Sequence, residues 1–202
     1  MTIERDETAW VHPATVFDGT ASIGFCSCIG HRKVAAEPVR VGDGVRIGAF
    51  CIVEPGAHLG AGVEVDHYCR IAYGVHVGAG TRILYRAQVF DNVTIGRSCV
   101  IAGELVDRTI VGNNVTFQGN TAHSHADPTA DWDETEEPSP VIESGSVVGV
   151  GAVLIGGVRV GPRAYVAAGE RVTCDVPTEM VLRGGELRPL SAFRGLIKVR
   201  EA

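Results

Sequence analysis

Aromatic residues make up only 6% of this 202-residue chain, while hydrophobic residues make up 45% and glycine occurs 26 times. So few large rings suit a narrow interior lined by aliphatic side chains, with glycine at its corners. No stretch of about 18 or more apolar residues occurs, so no membrane-spanning helix is expected. The N-terminal Met-Thr-Ile-Glu-Arg-Asp-Glu is polar and acidic and lacks the apolar run of a signal peptide. A cytoplasmic protein that does not engage a membrane is expected. There is no basic excess either: 18 Lys and Arg face 24 Asp and Glu, a net charge of −6, which leaves no basic face for nucleic acid. Among the six cysteines there is no Cys-x-x-Cys pair, which argues against a disulfide framework or a zinc site and for free thiols in a reducing compartment.

What the chain has in abundance is a period of six. From Ile142 the units open on Ile142, Val148, Leu154, Val160, Val166 and Val172. Four positions after each opening comes a small or β-branched residue (Ser146, Ala152, Val158, Ala164, Val176), with Glu170 the exception. The same spacing runs from Val11 through Phe17, Ile23, Ile29, Ala35, Val41, Ile47, Val53, Leu59, Val65, Ile71, Val77, Ile83, Val89 and Ile95 to Ile101. Six fits neither a helix nor a long alternating strand; it fits a short strand and a corner, repeated, as in a β-helix. Cys51, Cys69 and Cys99 fall at the fifth position of their units, where a small apolar residue is wanted, so they are expected in the core.

A second period, of 18, appears in Gly24, Gly42, Gly60, Gly78 and Gly96. Three units then make one coil of a triangular prism. One corner is expected to consist of stacked glycines at positive φ, with Ile23, Val41, Leu59, Val77 and Ile95 stacked inside. Gly112 comes two residues early, so the coil through Gly103 to Arg108 is contracted. About 13 extra residues then precede Ile142, in the polar, proline-bearing stretch from Thr121 to Pro140, which a solenoid must extrude as a loop. The expected organisation is a lead over 1–10, a hexapeptide β-helix over 11–177 with an inserted loop at 121–141, and a tail over 178–202 packing on the last coils.

The order of parts after the loop is more specific. Pro140-Val141-Ile142, Ile155-Gly156-Gly157-Val158, Val166-Ala-Ala-Gly169, Val172-Thr-Cys-Asp-Val-Pro177 and Gly184-Gly-Glu-Leu-Arg188-Pro189 together resemble the hexapeptide-repeat acyltransferase superfamily. Its members include galactoside and maltose O-acetyltransferases, streptogramin acetyltransferases and nucleotide-sugar N-acyltransferases. The resemblance implies an all-β, left-handed parallel β-helix; periodicity does not set the hand, and the general crossover rule alone would give the opposite one. Two positions depart from the family words: Cys174 stands for a Lys and Glu186 for a Pro. Arg163, Arg171, Arg183 and Arg188 are the cations left to hold coenzyme phosphates.

By the same resemblance the protein moves an acyl group from acyl-coenzyme A to a hydroxyl or amine of a sugar, nucleotide sugar or similar small molecule, as a homotrimer and without a metal. Such transfer needs a base, donors for the oxyanion and a groove for the pantetheine arm. The family's base is a histidine at the start of the extruded loop, which maps here to His123 or His125. His123 is favoured because it stands where the next unit would open. Gly149, Val150, Ala167, Ala168, Gly169, Thr173 and Arg188 are the candidate coenzyme contacts. His12, His31, His58, His67 and His76 are expected at surface turns, and Trp10 and Trp132 as apolar covers. Asp127, Asp131, Asp133, Glu134, Glu136 and Glu137 form either a solvated acidic loop or a selector for a cationic acceptor. A metal-dependent β-helix of the γ-carbonic-anhydrase kind is the alternative, but its His-x4-His spacing is replaced here by His123-x-His125.

Overall fold

The structure, a computed structural model, describes residues 2–31, 37–131 and 135–193. Short strands, most of two residues, stack in parallel into three sheets that form the faces of a prism. The first face runs from Ile3–Arg5 through Ala21–Ile23 and Val45–Ile47 up to Tyr165–Val166 and Met180–Arg183. The second runs from Trp10–Val11 to Arg171–Val172, and the third from Val16–Phe17 to Arg159–Val160. The polar lead therefore already contributes a rung, since Ile3–Arg5 pairs with Ala21–Ile23. At the other end Glu186–Pro189 folds back antiparallel on Met180–Arg183.

In each two-residue strand the first side chain points out and the second in, as alternation requires. The inward residues are those of the six-residue period: Ile29, Val41, Val53, Leu59, Ile71, Ile101, Ile142, Leu154 and Val166 are fully buried. Ala35 lies outside the described residues. All six cysteines are free; Cys51, Cys69 and Cys99 are buried, whereas Cys26 and Cys174 are exposed. The three buried thiols reach carbonyls of the next coil, Cys51 Sγ to Asp66 O at 2.9 Å, Cys69 Sγ to Leu84 O at 3.1 Å and Cys99 Sγ to Gly112 O at 3.0 Å. Burial pushes the Cys99 thiol pKa up, which makes it a packing residue rather than a nucleophile.

Two expectations about the glycines need correction. Ile23 pairs with Ile47, not Val41, and Gly24 lies against Gly48, because the early coil between them is six residues longer than its neighbours. An insertion of one whole unit leaves the six-residue phase intact and so is silent in the sequence. The stacked glycines from Gly42 onward also do not have positive φ. They are required because a Cβ on Gly78 would come within 2.5 Å of Gly96 C and 2.6 Å of Arg97 N. Positive φ belongs to the residue two further on, Gly44, Gly62, Gly80, Ser98 and Asn114.

These two kinds of glycine respond differently to substitution. Gly78→Ala forces backbone against backbone and is expected to cost about 1–3 kcal/mol. Gly62, with φ +67 and nothing within 4 Å of a built Cβ, tolerates Gly62→Asn at less than about 1 kcal/mol, since Asn114 already holds that corner conformation. Urea or thermal unfolding of the two variants checks the order.

Candidate active site

The loop leaves the prism at the corner that follows the second face. Its last rung before the loop is Asn120–Ala122, paired with Val153–Ile155 above. The preceding corner, Gln118–Gly119, is two residues short, so Thr121 takes the inward place four residues after Phe117 and is buried. His123 thus does not open a regular unit as expected; it lies one residue past the end of the rung.

The root of the loop is closed by a single carboxylate oxygen. Glu137 Oε2 accepts from Ser124 N at 2.7 Å, Ser124 Oγ at 3.1 Å and His125 N at 3.1 Å. The returning limb is tied to neighbouring coils. Arg108 Nη1 donates to Glu136 Oε1 at 3.0 Å, and Ser139 Oγ donates to Asp107 O at 2.5 Å. Pro138 presses on Gly157, where a Cβ would come within 2.6 Å of it. Removal from water raises the Glu137 pKa, but the hydrogen bonds from His125 and Ser124 and the charge of His125 outweigh it, and the net direction is down from 4.5.

His123 and His125 are brought together, with ring centroids 6.2 Å apart and planes within 5°. His123 is half-buried, and its Nδ1 is buried with no hydrogen-bond partner among the described residues. A proton there would be a buried donor without an acceptor, which costs about 1–3 kcal/mol. His125 is exposed, at φ +43, a conformation few non-glycine residues adopt.

The candidate coenzyme residues do not converge on one place. Gly149, Val150, Ala167, Ala168 and Gly169 line the corner between the first and second faces: Gly169 N donates to Val150 O at 3.0 Å, and a Cβ on Gly149 would meet Ala168 N at 2.6 Å. Coil packing accounts for Gly149 and a φ of +73 for Gly169. What this corner offers a ligand is exposed backbone and the Val150 side chain, 64% exposed. Thr173 is at the histidine corner instead, two coils beyond Ala122. One rung of the second face separates the two corners, at most ~20 Å for six residues. Arg188 lies on the returning edge strand, its Nη2 bonded to Glu186 Oε2 at 2.6 Å. Arg163 pairs with Glu179.

Of the acidic loop residues, Glu136 and Glu137 serve the loop root as described, and Asp127 caps Thr129 N at 2.8 Å. Trp132, Asp133 and Glu134 lie outside the described residues. Trp10 packs edge-on against His12 and His31, far down the prism from the loop. His12, His31, His58, His67 and His76 are all exposed, although His58 and His76 sit in strands of the third face rather than in turns. Among the described residues no three metal-ligating side chains gather. Sequence reasoning missed Glu137, Arg108 and Ser139 as builders of this site. Nothing in the spacing of Glu137 marks it as a partner of Ser124.

No protein-family model matches the chain. Over 51 residues, 25% of its length, it is 41% identical to the bifunctional protein GlmU of Shouchella clausii, and that match spans 11% of the GlmU chain. Among solved structures it is similar to LpxA from Acinetobacter baumannii, with a TM-score of 0.50 and 12% identity, over 91% of this chain and 72% of the other. It is also similar to the Arabidopsis UDP-N-acetylglucosamine acyltransferase, with a TM-score of 0.45 and 17% identity, over 95% and 77% of the two chains. The likeness to LpxA establishes the class of fold, an all-β, left-handed parallel β-helix.

The lowered Glu137 pKa carries a sign. Its contribution to the loop root is complete above 4.5, the ordinary value, and is lost as the pH falls through the depressed one. A carbon-13 titration of the Glu137 carboxyl is expected to show a midpoint below 4.5. In the Ser124→Ala variant, which removes one donor, that midpoint is expected to move back up.

Proposed function

We propose that the protein is an acyltransferase that moves an acyl group, acetyl in the simplest case, from acyl-coenzyme A to a hydroxyl or amine of a sugar, nucleotide sugar or similar small molecule. The observation that carries this reading is the histidine pair held at the root of a loop that leaves a β-helix. The motif words of the late coils and the fold shared with LpxA support it. In the reaction, a base takes the proton of the acceptor O–H or N–H as that atom attacks the thioester carbonyl. The tetrahedral intermediate then collapses, breaking the C–S bond, and the proton leaves with the coenzyme thiol.

The roles of the two histidines follow from their surroundings. His125, exposed at the loop root, is the base. His123, half-buried beside it, is a hydrogen-bonding partner for the acceptor or the oxyanion. This reverses the preference for His123 as base that its place in the repeat suggested. Exposed backbone and Val150 at the corner of Gly149 and Ala167–Gly169 receive the pantetheine arm, with Arg188 and Arg171 near enough to the late coils to meet its phosphates. Because this corner and the histidine corner stand at opposite edges of one face, each chain contributes a half-site, and the working unit is a homotrimer in the cytoplasm.

Two measurements test the reading. Incubation with acetyl-coenzyme A and a panel of amino sugars and nucleotide sugars is expected to release free thiol. His125→Ala is expected to lower the turnover number by roughly 10²–10⁴, and His123→Ala by less. Full activity in both single variants and in the double would mean that no histidine base is used. Light scattering is expected to give three times the 21.3 kDa chain mass; a monomer mass at working concentration would sink the half-site arrangement.

A further inference from the structure

We propose that Glu137 is a positioning residue for the transfer reaction, holding His125 where it takes the acceptor's proton. This rests on the acyl-transfer reading above. Glu137 lies 12 residues beyond His125 and 13 beyond Ser124 in the chain, yet one of its oxygens gathers the Ser124 amide, the Ser124 hydroxyl and the His125 amide. Three donors on one carboxylate oxygen make a charge-assisted clamp.

The clamp has a fixed base. Glu136 is bonded to Arg108, Ser139 to Asp107 and Pro138 is pressed on Gly157, so the limb carrying Glu137 is held by the coil below and the coil above. Glu137 passes that fixed position to the opposite limb. There His125 has φ +43, which a non-glycine residue keeps only when its surroundings hold it. The bond to its own amide orients the peptide plane ahead of it, and the ring lies parallel to His123. Without the carboxylate the His125 backbone is free to leave this conformation and carry the ring with it.

A purely structural closure of the loop and a positioning role predict different results. Glu137→Ala is expected to lower the turnover number by about 10–10²-fold, as a misplacement of an ångström does, with the KM for acyl-coenzyme A unchanged. Glu137→Gln, which retains an acceptor oxygen at the same reach, is expected to restore most of the activity. Glu137→Asp, one methylene shorter, is expected to behave like the alanine variant. Hydrogen exchange at the Ser124 and His125 amides is expected to speed up in the alanine and aspartate variants and not in the glutamine one. A wild-type turnover number in Glu137→Ala, equal losses in Ala and Gln, or unchanged exchange at the two amides would each overturn the proposal. If the wild-type protein releases no thiol with any acceptor, the acyl-transfer reading fails and the catalytic part of this proposal with it. The exchange measurement then still shows whether the clamp exists.

Discussion

Every coil of this protein sits at backbone hydrogen-bond distance from the next. Gly42 N to Leu59 O, Gly60 N to Val77 O, Gly78 N to Ile95 O and Gly96 N to Val111 O are each 2.8 Å. That spacing leaves no room for a side chain where two corners touch, which is why glycine recurs there, and it places every inward residue directly on its equivalents in adjacent coils. The interior is accordingly a set of aliphatic columns, and several hydroxyls and thiols enter it by bonding a carbonyl of their own or the next coil, whereas the buried Thr109 Oγ1 has no such partner among the described residues. Thr81 Oγ1 bonds Gly96 O at 2.7 Å and Ser27 Oγ bonds Gly48 O at 2.7 Å in the same manner as the buried cysteines.

Departures from glycine at the positive-φ corners show the same stacking acting outside the prism. Cys26, Phe50, Tyr68 and Arg86 hold positive φ between the first and second faces, where the last coils have Gly151 and Gly169. The strain of these non-glycine residues is accompanied by an external ladder of rings. Phe25 meets Phe50 at 5.3 Å, Phe50 meets Tyr68 at 4.9 Å, Tyr68 meets Tyr85 at 5.7 Å, and Arg86 lies over Tyr85. Aromatic pairs at such distances are favourable beyond their burial, so Phe25, Phe50, Tyr68 and Tyr85 line this corner, while Phe117 is fully buried in the core.

Because the rungs cannot change spacing, extra or missing residues are absorbed between them. The corners at Ala102–Gly103 and Gln118–Gly119 each lose two residues, and the long loop leaves between Ala122 and Val141. Chain that emerges this way has no ladder of its own to hold it. The loop root is held instead by side chains: one carboxylate across its neck, an arginine from the coil below and a proline against the coil above. The histidines stand where rigid ladder gives way to this side-chain network, His123 half-buried and His125 exposed.

In the sequence alone, the six-residue period was enough to name the inward residues and the buried Cys51, Cys69 and Cys99, and with the 18-residue glycine spacing it gave the three-sided coil and the place of the loop. Each of these follows from a repeat in which burial is dictated by local alternation. The hand of the helix came from motif words, not from the period. Three things were decided only in the folded molecule. An insertion of one whole unit in the early coils preserves the phase and so shifts which strands are neighbours without any local sign. The short corner at Gln118–Gly119 is followed by only one rung, Asn120–Ala122, before the loop breaks the repeat, and it moves His123 off the inward register. The role of Glu137 depends on a contact across the loop neck. To the sequence it is one acidic residue among several; only the closure of the loop brings its oxygen to the amides of Ser124 and His125, because nothing in the local pattern of either limb encodes the distance between them.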